Sequence, residues 1–353
     1  MQPSLNSLRA LPKADLHSHI DGSVSARELF QIARRNRRRI LTPKGDELNS
    51  VTALTRYVTG DGYGSLLENI VDRFYPMTGL MQSEVTIREV GISYVKEQRK
   101  DGVAYAEGRF APQYHTREGL SLKDVITSMS EGLAEGAEKY GVKTALIVAI
   151  GRESSPRLGE EVVRAAFESG SAVAMDLGGP EAGNPPQKFK DAFETAVASG
   201  LKVTVHAGEG AGSLKQNLAN IEAAIIQLKA NRLGHAIDLA RDGHLMSLVR
   251  DRSVVVEMNP ISNLVLQKIG GLKELAIDRL LRESIRVSVN SDDPAIWPHG
   301  SLSDVYASVC EAYGFGMREL DALVENSFRG AFAADREKDE LVERYRAARK
   351  RHC

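Results

Sequence analysis

Thiol chemistry has little to work with in this chain. Its 353 residues include two cysteines, Cys310 and Cys353, too few for a disulfide framework or a thiolate metal centre. Charge of one sign is also missing: 46 basic residues nearly balance 47 acidic ones, for a net charge of −1. Such a surface offers no field to hold nucleic acid or an anionic membrane, and so points to a small-molecule partner. Long apolar runs are absent as well. No stretch approaches the roughly 18 residues of a membrane span, and the opening "MQPSLNSLRALPK" lacks the apolar centre of a secretory leader. A cytoplasmic protein is expected. No low-complexity linker divides the chain, which predicts one domain over residues 1–353. What is present, 42% hydrophobic and 26% charged residues, is the composition of a globular protein.

Short β-branched runs recur, each ending in polar or glycine-rich residues. They are "ADLHSHI" (14–20), "VAYAEGRF" (103–110), "TALIVAI" (144–150), "AVAMDLGG" (172–179), "VTVHAGE" (203–209), "RLGHAI" (232–237), "VVVEMNP" (254–260) and "RVSVNSDDP" (286–294). Between most of them lie helix-length segments whose apolar residues recur every three or four positions, such as "LGEEVVRAAFESG" (158–170). Alternating strands and helices argue for a parallel sheet with crossover helices. Eight such units predict a closed (β/α)8 TIM-type barrel, with an open doubly wound sheet as the alternative. Residues 21–102 are too many for one crossover and predict a helical insertion over the C-terminal mouth, where such barrels carry their chemistry. Within it "RRNRRR" (34–39) reads as a solvated helix face, and "GDGYGS" (60–65) as a flexible stretch. The tail over 317–353 reads as a helical cap with no part in chemistry.

The eight histidines are unevenly placed. Strand residues i and i+2 share a face, so His17 and His19 project together into the barrel. His206 and His235 also fall at or just after strand ends, and the eighth strand ends in adjacent carboxylates, Asp292 and Asp293. Buried carboxylates there need a cation or a donor. Three imidazoles and one carboxylate would suit one divalent transition metal, zinc first, with a position left for water.

The segments "LPKADLHSHIDGS", "DGVAYAEGRFAPQ", "AMDLGGPE", "VTVHAGE", "NRLGHAID", "MNPISNL" and "VNSDDPAIW" together resemble the adenosine deaminase family of the metal-dependent hydrolases, in that family's order and over almost the full length. The resemblance implies zinc-dependent hydrolytic deamination of an adenine nucleoside in a purine-metabolising enzyme. It implies His17, His19, His206 and Asp292 as ligands of one Zn2+ per chain. It makes Glu209 the proton donor to purine N1, and His235 the residue that orients and deprotonates the attacking water. It gives Asp293 to purine N7, the Gly179 N–H to N3, and Asp21 to the ribose 5′-hydroxyl. Relatives that take free adenine usually carry glutamate where this chain has Asp21, which favours a nucleoside. A plainer role is open to Asp21 and Ser23, as N-cap of the helix "SARELFQIARR". Gly179 could likewise be an ordinary turn glycine. Ala236 and Asn259 stand where the family commonly has glycine and cysteine, and Leu275-Ala276 replaces a common His-Pro pair. These departures leave the substrate's sugar open. Deaminases of aminodeoxyfutalosine, modified adenosines or adenine are the alternatives, and a catalytically silent nucleoside-binding protein is the non-enzymatic one. The H-x-E/P-C-x-x-C deaminases are excluded by the cysteines. The absence of lysine from "AVAMDLGG" argues against a lysine-bridged two-metal centre.

Overall fold

The computed structural model describes residues 3–59, 70–297 and 299–352. Among these, eight strands follow one another in sequence order around a single parallel sheet: β1 Lys13–His19, β2 Val103–Phe110, β3 Lys143–Gly151, β4 Ala172–Gly178, β5 Lys202–Ala207, β6 Arg232–His235, β7 Val255–Met258 and β8 Val287–Val289. Each lies within a run expected from the sequence, or overshoots it by one residue at an end, in β3 at both ends. The expected (β/α)8 architecture is present, with crossover helices on the outer face. Strand interiors are almost wholly buried, as a sheet covered on one face by helices and packed with side chains on the other must be.

The sheet closes where β1 meets the segment after β8. The His19 N–H donates to the Asp292 carbonyl at 2.8 Å, and the Asp292 N–H to the His17 carbonyl at 2.9 Å. Side chains extend this seam: Asn290 Oδ1 accepts from the Leu16 N–H, and Ser291 donates to the buried Asp15 carboxylate. β1 and the segment after β8 are therefore bonded at the positions that carry His17, His19 and Asp292.

Helices Ala26–Arg35, Val51–Thr59, Ile70–Leu80 and Glu84–Lys100 lie between β1 and β2. The last is the ordinary crossover helix, packed on β2 and on helix Leu122–Tyr140, so the excess over one crossover is shorter than 21–102 suggested. The end of helix Ile70–Leu80 docks on the loop after β2: the Met81 carbonyl meets His115 Nδ1 and the Gln82 side chain donates to the Tyr114 carbonyl. That contact puts the insertion beside the C-terminal rim. Of "RRNRRR", only Arg34 and Arg35 are helical; Arg35 and Arg38 pair with Glu89 and Glu118. "GDGYGS" lies outside the described residues.

The tail forms helices Met317–Gly330 and Asp335–His352, but it is more than a cap. The Gly330 carbonyl accepts from Arg232, the Phe332 N–H donates to Glu107, and the Arg232 guanidinium lies 3.6 Å from the centroid of the Phe332 ring. The tail thus seals the floor of the barrel and ties itself to charges buried there. No helix among the described residues is long and apolar enough to cross a membrane.

Candidate active site

At the C-terminal ends of the strands the imidazoles converge. His17 Nε2 and His19 Nε2 stand 3.1 and 3.2 Å from His206 Nε2, and each is 3.4 Å from Asp292 Oδ1. Ligands 2.0–2.1 Å from a four-coordinate zinc lie about 3.3–3.4 Å apart, close to all four separations. Tautomers make the stronger test. His17 Nδ1 faces Glu257 at 2.7 Å and His206 Nδ1 faces Asp176 at 3.1 Å. In the neutral imidazoles each Nδ1 donates to its carboxylate, which leaves a lone pair on each of the two Nε2 atoms. Two lone pairs facing each other at 3.1 Å repel unless a proton or a metal cation lies between them. The donor set fits a divalent metal.

His235 is also near: its ring nitrogens, those of His17 and His206, and an Asp292 oxygen include a set mutually within 4.8 Å. Its own nitrogens, however, face Asn263 at 2.9 Å and Asn259 at 3.2 Å, whereas His19 Nε2 has two candidate ligands, His206 and Asp292, as its close contacts. His19 is therefore the better fourth ligand. His235 stands beside the cluster, 3.8 Å from Glu209 Oε2.

Burial sets the charge states. It holds the His19 imidazole well below its usual pKa and His235 at about 4, so both are neutral near pH 7. His17 differs: burial and Arg109 favour its neutral form, but Asp292 and Glu257 outweigh them and raise it. Positive charge on the His17 ring is thus favoured. Burial also opposes ionisation of Asp292, yet His17 and the neighbouring imidazoles prevail and hold it well below the carboxylate range. Asp293 goes the other way, pushed well up by burial and by Asp292 and Asp21 beside it. Asp21 is raised to about 6 by burial.

Strand alternation fails at the Asp292–Asp293 pair. β8 ends at Val289, and Asp292 adopts a left-handed φ of 61°. Asp293 consequently offers an oxygen within 4.8 Å of His19 and Asp292 ligand atoms instead of facing away. Its Oδ1, like that of Asp21, is buried without a hydrogen-bond partner. Helix Ala26–Arg35 takes its N-cap from Ser25, so the capping role open to Asp21 and Ser23 is not the one they play. Gly179 follows β4 with φ 96°, and a Cβ there would stand 2.8 Å from Glu153 Oε2. That backbone favours glycine, whereas the contact could be relieved by a shift of the Glu153 side chain.

Several working residues carry no motif. Arg109, fully buried on β2, donates to Asp176 at 2.9 Å and to Glu257 at 3.0 Å. Arg232 pairs with Glu107 and with the other Glu257 oxygen. The carboxylates that orient His17 and His206 are thus themselves held by two arginines. The signal was parity: Glu107 and Arg109 share an inward face of β2, and His17 and His19 share one of β1. Gly234 belongs here too, since a Cβ would meet His17 Cε1 at 2.7 Å. Asn259 and Asn263, which flank His235, stand in "MNPISNL".

A sequence-family profile described as adenosine deaminase matches residues 12–348. An adenine deaminase of Wolinella succinogenes is 30% identical over 342 residues, 96% of this chain and 98% of that protein. An adenosine deaminase of Mycobacteroides abscessus is 32% identical over 346 residues, 93% of this chain and 92% of its own. Among solved structures, adenine deaminase from Arthrobacter aurescens superposes with a TM-score of 0.84 at 27% identity, covering 96% of this chain and 99% of its own.

Proposed function

The chain belongs to the adenosine deaminase family, hydrolytic deaminases of amidine C–N bonds, and from that premise we propose that it converts adenosine or 2′-deoxyadenosine to the corresponding inosine and ammonia at one zinc ion held by His17, His19, His206 and Asp292. The observation that carries the metal reading is the pair of Nε2 atoms on His17 and His206, turned toward each other 3.1 Å apart with a carboxylate behind each ring. Bound there, a divalent ion lowers the pKa of a water toward about 7 and supplies the nucleophile at neutral pH.

The chain's own groups do the rest. Neutral His235, beside the ligand cluster, takes the proton from the attacking water. Glu209 gives a proton to N1, so that C6 accepts the oxygen without building charge on the ring. The amino group leaves as ammonia after gaining a proton, and the ring returns to the 6-oxo form. Asp293, whose neutral form burial and the neighbouring carboxylates favour, is available to donate its proton to N7, the Gly179 N–H to N3, and Asp21 to accept from the 5′-hydroxyl. The buried, unpartnered oxygens of Asp21 and Asp293 support these roles, because buried polar atoms without partners are costly until a ligand meets them.

Free adenine is the second reading, favoured by relatives of that name at comparable identity. Aspartate at position 21 supports the nucleoside. A panel of adenosine, 2′-deoxyadenosine, 5′-deoxyadenosine and adenine, followed by ammonia release, decides between them. Turnover confined to adenine would overturn the nucleoside reading, and turnover of none would overturn both.

A further inference from the structure

We propose that Glu181, in the loop after β4, is a positioning residue for the proton donor: it grips the main chain of residues 208–210 and so aims the Glu209 side chain. The proposal rests on the reading of Glu209 as the acid.

Glu181 is buried, and its carboxylate is filled from one direction. Oε1 accepts from the Gly208 N–H at 2.8 Å and from Asn220 Nδ2 at 2.9 Å; Oε2 accepts from the Glu209 and Gly210 N–H groups at 2.9 and 3.1 Å. Three successive backbone donors turned toward one point form an anion nest, here occupied by the protein's own carboxylate. The Glu209 carboxyl, by contrast, accepts no hydrogen bond among the described residues; His235 Nε2 stands 3.8 Å from it, and Arg152 and Asp293 lie within reach of its charge. With no hydrogen bond to Glu209 at its working end among the described residues, its direction comes from the backbone it hangs on, and Glu181 holds that backbone. Glu181 also stands two residues after Gly179. One short loop therefore fixes the N–H offered to the N3 edge of the base and the acid offered to N1, and keeps them in register.

Glutamine at 181 would make this test sharp. Its single oxygen can serve one donor pair, while its amide nitrogen would meet the other pair donor to donor. In Glu181→Gln, zinc content should equal wild type, KM should stay within about threefold, and kcat should fall by about ten- to a hundredfold, the scale of a small misplacement. Glu209→Gln alone should lose about 10²–10⁴-fold in kcat. The double variant should be no slower than Glu209→Gln, because a residue acting through Glu209 has nothing left to position. Losses that multiply, a Glu181→Gln enzyme with wild-type kcat, or a kcat loss that tracks lost zinc would each overturn the proposal. If Glu209→Gln keeps full kcat, the acid reading itself fails, an outcome separate from multiplicative losses. Should Glu181→Gln not fold, Glu181→Asp, which keeps the charge but shortens the reach, is put through the same cycle with the same expectations.

Discussion

Exchanging Glu257 for glutamine would remove one charge from the middle of the barrel at nearly constant shape. The carboxylate has four partners: His17 Nδ1 at 2.7 Å and Arg109 at 3.0 Å on one oxygen, Arg232 and Thr204 on the other. All are essentially buried. An amide satisfies one side only, so in either orientation an arginine faces a donor in place of an acceptor. Breaking a buried ion pair by removing one partner costs about 3–5 kcal/mol. With an unfolding entropy of roughly 2 cal/mol/K per residue, a chain of this length should lose about 4–7 °C in Tm. The same change weakens the hold on the His17 tautomer, and loss of a carboxylate behind a metal-binding histidine typically lowers affinity by about 10–100-fold. Scanning calorimetry of the metal-free protein isolates the first effect, and zinc competition against a chromophoric chelator isolates the second. A lower Tm with unchanged zinc affinity would refute the tautomer argument. No change in either would refute the network.

Three further outcomes are expected. Chelation should abolish ammonia release, and about one equivalent of zinc per chain should restore it; two tightly held equivalents would overturn the single-metal reading. Asp21→Ala should cost adenosine about ten- to a hundredfold in kcat/KM and 5′-deoxyadenosine much less, with zinc unchanged; equal losses would refute the 5′-hydroxyl contact. His115 is buried, and burial presses its pKa to about 3 from the ordinary 6.5. Between those values the unfolded chain takes up a proton that the native one refuses. This residue's contribution is therefore intact above pH 6.5 and lost as pH falls toward 3, at up to about 1.4 kcal/mol per unit. Denaturant titrations of His115→Phe should show a shallower acid decline, and parallel slopes would refute it.

The barrel was legible because each strand is an apolar run broken by polar residues at its C-terminal end, and the ligand candidates stand in those breaks. The inward charges were not. Glu107, Arg109, Arg232 and Glu257 sit inside strands, where one residue gives no sign that a counter-charge arrives from another strand, as many as 148 positions away. Glu181 was hidden for a related reason: it acts on backbone N–H groups, which every residue has. Alternation also misled at Asp293, because β8 stops short and the left-handed Asp292 turns the chain. The tail read as a cap because its contribution is a carbonyl, an N–H and a ring face, none visible as a motif.

The seam between β1 and Asp292 also sets when the site can exist during synthesis. His17 and His19 leave the ribosome about 270 residues before Asp292, an interval of roughly 15–55 s at about 5–20 residues per second. Throughout it the nascent chain lacks the carboxylate ligand, and the backbone bonds that position His17 and His19 have no partner. Helix Met317–Gly330, which packs on both β1 and β8, emerges later still. On the proposed ligand set, a chain cut short before Asp292 has neither its carboxylate ligand nor a closed barrel. Tight metal capture would then report a chain grown past Asp292, and shorter translation products should be poor competitors for the metal.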